Sequence, residues 1–177
     1  MRGHGHDSPT PAAWLVVNRA LLPPSGRALD VACGRGRNSV WLAQQGFATT
    51  ALDRDPAAVA DLEARARQDG IPITARAVDL EAGAVDLGEA LYDVVVVVHY
   101  LHRPLFPALI AALAPGGVLV YETFTVAQAV RGRPTNPAFL LEPGELPRLV
   151  APLEIRAARE GDFEGRMVSS VVAVRPV

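Results

Sequence analysis

The stretch Ala28-Leu29-Asp30-Val31-Ala32-Cys33-Gly34-Arg35-Gly36-Arg37 runs an apolar strand into a turn punctuated by two glycines, with one acid near the strand's end. Glycine tolerates positive φ and lets backbone approach a ligand closely, so a turn of this kind is both a bend and a candidate cradle. A second constraint comes from Asp93 and the five valines that follow it, Val94 to Val98. An unbroken β-branched run of that length reads as a strand buried on both faces, which requires a layer of cover on each side of a sheet.

Helical and strand-like segments alternate around these two. Residues 12–22 have helical spacing through Trp14, Val17 and Leu21 and stop at Pro23-Pro24. Strands are expected at 27–32, 47–52, 71–78, 93–98 and 118–122. Helices are expected at 38–45, before Gly46, and at 56–69, with Pro56 at its start and Gly70 after its end. Further helices are expected at 84–90, 103–114 and 143–150, with Pro115-Gly116-Gly117 as a turn. Alternation of this kind predicts a parallel sheet with right-handed crossovers. Segments 153–158 and 167–174 face each other across 161–165 and read as a β-hairpin added at the end.

The chain has 177 residues, enough for one domain spanning 1–177, with 1–11 as a polar, proline-containing flexible arm. Its net charge of -2, from 17 basic and 19 acidic residues, gives no electrostatic case for nucleic acid as partner. All the basic residues are arginine. One cysteine excludes an internal disulfide, and His4 and His6 are too sparse for a metal site, so no metal is expected. The opening residues lack a signal pattern, and the longest apolar run is far too short to span a bilayer. A soluble cytoplasmic protein with no membrane partner, monomeric or homodimeric, is the expectation.

In an open α/β sheet, ligands bind beyond the carboxyl ends of the strands, where strand order reverses. Three acids fall at three successive strand ends. Asp30 can accept from a ligand ammonium, directly or through water. Asp53, 17 residues beyond Gly36, can take both ribose hydroxyls. Asp79 can accept from an exocyclic adenine amine, with the Leu80 backbone N–H serving a ring nitrogen. Singly, each has a plainer reading: Gly34 and Gly36 as an ordinary turn, Asp53 as a helix cap, Asp79 as a turn residue. Together they describe a pocket for an adenosine-bearing cofactor.

The polar residues after the valine run leave the sheet at the mouth of that crevice. His99, Tyr100 and His102 are the catalytic candidates, able to orient or deprotonate a substrate, or simply to satisfy hydrogen bonds at a strand end. Arg103 and Glu122 are candidate substrate contacts on the same rim. The connection 125–141 carries Arg131, Arg133 and Phe139, which suit an anionic acceptor if the loop is a lid and are merely solvated if it is not.

These residues resemble those of the class I S-adenosylmethionine-dependent methyltransferases. Residues 29–36 are similar to their first motif, Asp53 to their ribose-binding acid and Asp79 to their adenine-binding acid. Residues 92–101 and 113–120, with Pro115-Gly116-Gly117, look like the fourth and fifth strands. Cys33-Gly34-Arg35-Gly36-Arg37-Asn38-Ser39 and the run from Pro137 to Leu146 resemble the tellurite-resistance branch. The resemblance implies an α/β, three-layer Rossmann-like fold with a seven-stranded, mostly parallel sheet and an antiparallel last strand. It implies S-adenosyl-L-methionine as cofactor, S-adenosyl-L-homocysteine as product, and cofactor contacts at Asp30, Ala32, Cys33, Gly34, Gly36, Asn38, Asp53, Arg54, Asp79, Leu80 and Val98. Two departures stand out. The family's usual glycine before the cysteine is Ala32. The branch's His-Arg pair in the stretch 160–166, which assists transfer, is absent here, the chain having Asp162, Phe163, Glu164 and Arg166.

The function this implies is methyl transfer to a small molecule such as a thiol, a chalcogen oxyanion or another small anion. A non-catalytic S-adenosylmethionine-binding module is an alternative. A nicotinamide oxidoreductase fits less well, because Ser39 stands where its third glycine should be. A nucleic-acid methyltransferase would need a basic face and an Asn-Pro-Pro-Tyr-like motif, where this chain has His99-Tyr100-Leu101-His102.

Overall fold

Five strands of the chain run parallel, and an antiparallel hairpin completes the sheet. The computed structural model describes residues 9–177; the expected arm, His4 and His6 fall largely or wholly outside them. The strands are β1 (Gly26–Val31), β2 (Phe47–Asp53), β3 (Ile73–Ala77), β4 (Tyr92–Val98), β5 (Leu113–Phe124), β6 (Glu154–Phe163) and β7 (Arg166–Val174). Their spatial order is β3-β2-β1-β4-β5-β7-β6. Strand order reverses between β1 and β4, which places the crevice where the glycine turn leaves β1. β7 is antiparallel to both β5 and β6, as expected of the last strand.

The helices are α1 (Ala13–Val17), α2 (Arg37–Gln44), α3 (Pro56–Asp69), α4 (Phe106–Ala112) and α5 (Glu145–Leu149). α3 has the termini read from the sequence: Asp55 accepts from the Ala57 N–H at 2.9 Å, and Gly70 closes the helix at φ 64°. The valine run of β4 splits as its period of two requires. Val94, Val96 and Val98 pack under α1 and α2 with Trp14, Leu15 and Leu42, while Val95 and Val97 pack against Leu105, Phe106 and Leu109 on the opposite face. Burying each valine contributes about 1.5–3 kcal/mol, which makes β4 the spine of the molecule.

Several expected elements differ, the helix expected at 12–22 among them, which divides at Asn18 into α1 and a 3-10 turn, Arg19–Leu21. Residues 84–90 form no helix: Gly83, Gly88 and Ala90 have φ of 116°, 86° and 51°, and Asp86 turns the chain by accepting from the Gly88 N–H at 2.8 Å. The helix expected at 103–114 begins as a 3-10 turn, Arg103–Leu105, and ends at Ala112, because Leu113 is drawn into pairing with Tyr92. β5 therefore runs through Pro115-Gly116-Gly117. Gly117 is required there, since a Cβ would stand 2.8 Å from the Ala114 carbonyl oxygen and 2.9 Å from that of Tyr92. The hairpin is longer than expected and turns at Glu164-Gly165, both at positive φ, 54° and 75°. That is the two-residue turn whose twist matches its strands.

Candidate functional site

The turn after β1 carries the geometry a ligand needs. Gly34 has φ 55° and open space where a Cβ would stand, with no atom within 4 Å. Gly36, at φ 76°, presses on Leu62 of α3 instead, so it serves packing. Ala32 adopts φ 54°, a left-handed conformation that a Cβ disfavours.

Asp53 at the end of β2 is bound into this turn. Its Oδ2 accepts from the Gly34 N–H at 2.7 Å and its Oδ1 from the Asp55 N–H at 3.0 Å. Each oxygen keeps a lone pair for a ligand hydroxyl. Arg54 beside it is exposed. Beyond β3, Asp79 is exposed and accepts from the Glu81 N–H at 3.0 Å, while Leu80 sends its side chain into the core and leaves only backbone for a ligand. Gly34 thus leaves open space beside the half-buried carboxylate of Asp53, and Asp79 stands exposed beyond the next strand.

Asp30, expected to accept from a ligand ammonium directly or through water, is buried. It is 1 % exposed and sits under α2, where Ser39 donates to its Oδ2 at 2.5 Å. Burial leaves it almost no surface of its own in the absence of a ligand. Burial raises its pKa to about 7, against the lowering effect of Ser39. Asn38 is also buried and braces α1, its Oδ1 accepting from the Ala12 N–H at 2.9 Å. Cys33 is buried, and burial, with Asp30 and Asp53 nearby, pushes its thiol well up, so it is packing and not a nucleophile.

The candidates after β4 part company. Val98 is buried and pairs with Glu122. His99, at φ 58°, stacks on Phe124 with ring centroids 4.6 Å apart, on the face of β5 that also carries Glu122. Tyr100 packs against the core of the other face, with its hydroxyl 3.4 Å from Glu81 Oε1. Burial and the Glu81 carboxylate both push its phenol up. It belongs to the wall beside Asp79, away from the His99 side. His102 caps the 3-10 turn, its carbonyl accepting from the Leu105 N–H at 3.0 Å.

Several expected substrate contacts are tied to the protein itself. Arg103 makes a bidentate pair with Glu145, at 2.6 and 2.9 Å, and donates to the carbonyls of Ala138 and Leu140. Arg131 pairs with Asp162 at 2.5 Å. Arg133 and Phe139 are exposed. The loop 125–141 is thereby strapped at both ends, by Arg103 on one side and Asp162 on the other.

Glu122 stands at the centre of a cluster that only the fold assembles. It is 7 % exposed, and its Oε2 accepts from Ser170 Oγ at 2.6 Å and Arg159 Nη2 at 2.9 Å. These three lie side by side across β5, β7 and β6, because Glu122 pairs with Ser170 and Ser170 with Arg159. The Arg159 guanidinium lies between two rings, 4.6 Å from Trp14 and 4.0 Å from Phe163. Sequence reasoning missed Arg159, Ser170, Trp14 and Phe163 as site residues. Two serines inside the valine-rich β7, Ser169 and Ser170, were the one local sign of a buried polar partner.

Comparison with known proteins agrees with this geometry. A model described as a methyltransferase domain matches residues 28–117, half of the chain. A ubiquinone biosynthesis O-methyltransferase of Methylobacterium nodulans is 36 % identical over 111 residues, 59 % of this chain and 44 % of that protein. A probable S-adenosyl-L-methionine-dependent methyltransferase, TehB, of Haemophilus influenzae is 27 % identical over 95 residues, 54 % of this chain and 33 % of that protein. The solved structure of an S-adenosylmethionine-dependent methyltransferase of Mesorhizobium loti superposes with a TM-score of 0.72 at 22 % identity, covering 97 % of this chain and all of that one. The chain spans between about a third and a half of the length of the curated relatives it matches. No helix among the described residues is long and apolar enough to cross a membrane. On the motif turn, the strand order and the matching family model, the chain belongs to the methyltransferase domain family, as a class I member with S-adenosylmethionine as the implied cofactor.

Proposed function

We propose that the protein transfers the methyl group of S-adenosylmethionine to a small-molecule acceptor. The observation that carries this reading is the open cradle at Gly34, hydrogen-bonded to Asp53 at the point where strand order reverses. When bound, the cofactor supplies an electrophilic methyl group on a sulfonium. Asp53 holds the ribose and Asp79 the adenine, with Tyr100 and Glu81 beside them. Gly34 gives the ligand backbone to lie against. The acceptor enters from the side of His99, Phe124, Glu122 and Trp14, where rings exclude water and Glu122 offers an acceptor oxygen. Holding the nucleophile in line with the methyl is itself a large share of such catalysis, so no strong base is required.

Calorimetric titration with S-adenosylmethionine, S-adenosylhomocysteine, NAD and NADP tests the cofactor. Labelled-methyl turnover across thiols, selenite, amines and carboxylates tests the acceptor. Micromolar binding of the sulfur nucleosides with transfer to one acceptor supports the proposal. Binding without transfer to any of them favours the binding-module reading, and preference for a nicotinamide nucleotide removes both.

A further inference from the structure

We propose that the groove between α4 and the segment leading from α5 into β6 is a second ligand site, which takes a small carboxylate with an extended apolar body. It stands apart from the methyltransferase crevice and does not rest on that reading.

The groove has a volume of about 700 Å³, within the range of small-molecule sites. Phe106 and Leu153 line it and belong to the core on the Val95 and Val97 face of the sheet, opposite the face that packs Trp14. It opens because the two helices over that face are short. α4 stops at Ala112, where Leu113 joins β5, and α5 runs only from Glu145 to Leu149. Ile110 and Leu149 form the walls and are only half-buried, so apolar surface is left facing water.

Its charge is one-sided. Arg103, Arg148 and Arg175 line the groove, and no aspartate or glutamate does. Arg103 is spent on Glu145 and on the carbonyls of Ala138 and Leu140. Glu145 also feels the charge of Arg148, but its two oxygens are engaged by Arg103 and by the Glu142 N–H. Arg175 uses Nη1 alone, donating to the carbonyls of Ala111 and Leu113 at 3.2 and 2.5 Å. Those carbonyls close α4, so the bonds fix the guanidinium at that end of the groove and keep its Nε and Nη2 as donors. Arg148 lies in the last turn of α5, exposed, and among the described residues it makes no hydrogen bond or ion pair.

Apolar walls recognise an apolar body through the area removed from water, and a guanidinium fork matches a carboxylate in two-pronged geometry. From Arg103 to Ala111 the groove follows about 12 Å of helix, so the body is extended. An apolar cation would meet like charge, an uncharged alcohol would leave the forks unanswered, and acetate would leave the walls wet.

Calorimetry on the full chain tests this with octanoate, octanol, octylammonium and acetate as probes. The proteins are wild type, the double variant Arg148→Gln with Arg175→Gln, Ile110→Trp, which fills the groove, and Arg67→Gln, an exposed residue of α3, as control. Thermal melts establish that each is folded, and Arg148→Gln alone carries the charge arm if α4 needs its Arg175 contact. Octanoate should bind wild type and Arg67→Gln alike, and about tenfold or more weakly to the double variant and Ile110→Trp. The other three probes should bind wild type at least about tenfold more weakly than octanoate does. Saturating S-adenosylhomocysteine should leave octanoate binding unchanged. Absence of octanoate binding overturns the site, as does equal binding by all four proteins, an equal response to octylammonium, or displacement by S-adenosylhomocysteine. A ligand-free dimer in sedimentation that Ile110→Trp dissociates gives the groove to a second copy of the chain and also overturns the proposal. None of these results bears on methyl transfer, which the cofactor titrations decide separately.

Discussion

The backbone N–H of Gly34 donates to Asp53 Oδ2 at 2.7 Å, so the acid at the end of β2 holds the cradle that leaves β1. One carboxylate shapes the turn and, with its remaining lone pairs, receives the ligand. Removing it affects both. Asp53→Ala is expected to lose about 1–3 kcal/mol of S-adenosylhomocysteine binding and about 1 kcal/mol of stability. Calorimetry reads the first and urea unfolding the second. Unchanged affinity would contradict the ribose role.

The two glycines of the motif separate binding from folding. At Gly34 a methyl group meets no protein atom, so Gly34→Ala leaves the fold within about 1–2 kcal/mol of wild type, the strain of positive φ. It fills the cradle, and cofactor affinity should fall at least tenfold. At Gly36 a Cβ would stand 2.5 Å from both Leu62 methyl carbons. Gly36→Ala should therefore destabilise the protein by several kcal/mol, from overpacking on top of strain. Paired melting and binding curves for the two variants check this, and equal melting temperatures would refute it.

Asp30 makes stability depend on pH. Its folded pKa of about 7 lies above the ordinary 3.8, because burial penalises the charge. Below pH about 4 it is protonated in both states and its contribution is intact. As pH rises from about 4 to 7 the unfolded chain ionises first, so stability is lost across that window, by about 1.4 kcal/mol for each pH unit. Asp30→Asn keeps an acceptor for Ser39 and cannot ionise. Its stability relative to wild type should therefore rise by a few kcal/mol between about pH 4 and about pH 8. Denaturation at the two pH values measures the difference, and a constant gap would show that Asp30 does not titrate there.

Arg103 anchors the loop before α5 by pairing with Glu145 and donating to two loop carbonyls. Its hydrogen bonds hold the Glu145 carboxyl below the usual range. A depressed acid contributes stability at neutral pH that is lost as pH falls through its folded pKa. The pair is partly exposed, so Arg103→Ala should cost only about 1 kcal/mol. Its larger effect is on the loop: proteolytic cleavage within 126–140 should quicken severalfold without global unfolding, and unchanged cleavage would count against the strap.

Local pattern carried much of this protein. The alternation of periods, the proline and glycine at the ends of α3, and the valine run of β4 were each readable in short windows. The same holds for the acids at the ends of β2 and β3, which sit at strand ends whatever the rest of the chain does. The helix expected at 84–90 failed where glycines and the Asp86 turn outweighed weak apolar spacing. The helix at 103–114 was cut short because pairing of Leu113 with Tyr92 overrode local preference.

The sequence by itself determined the alternation of strands and helices and the parallel sheet, because these rest on backbone preference and on burial periodicity along neighbouring residues, while the family of the cofactor turn was legible through the resemblance of residues 29–36. Only the tertiary structure decided the acceptor side. Glu122 meets Ser170 from 48 positions away and Arg159 from 37, through the register of three strands. His99 and Tyr100, adjacent in sequence, diverge to opposite faces of the sheet, and Asp30 is sealed beneath α2. Register and burial are settled by how the whole sheet closes, and a one-residue slip would have sent each of these side chains to the other face.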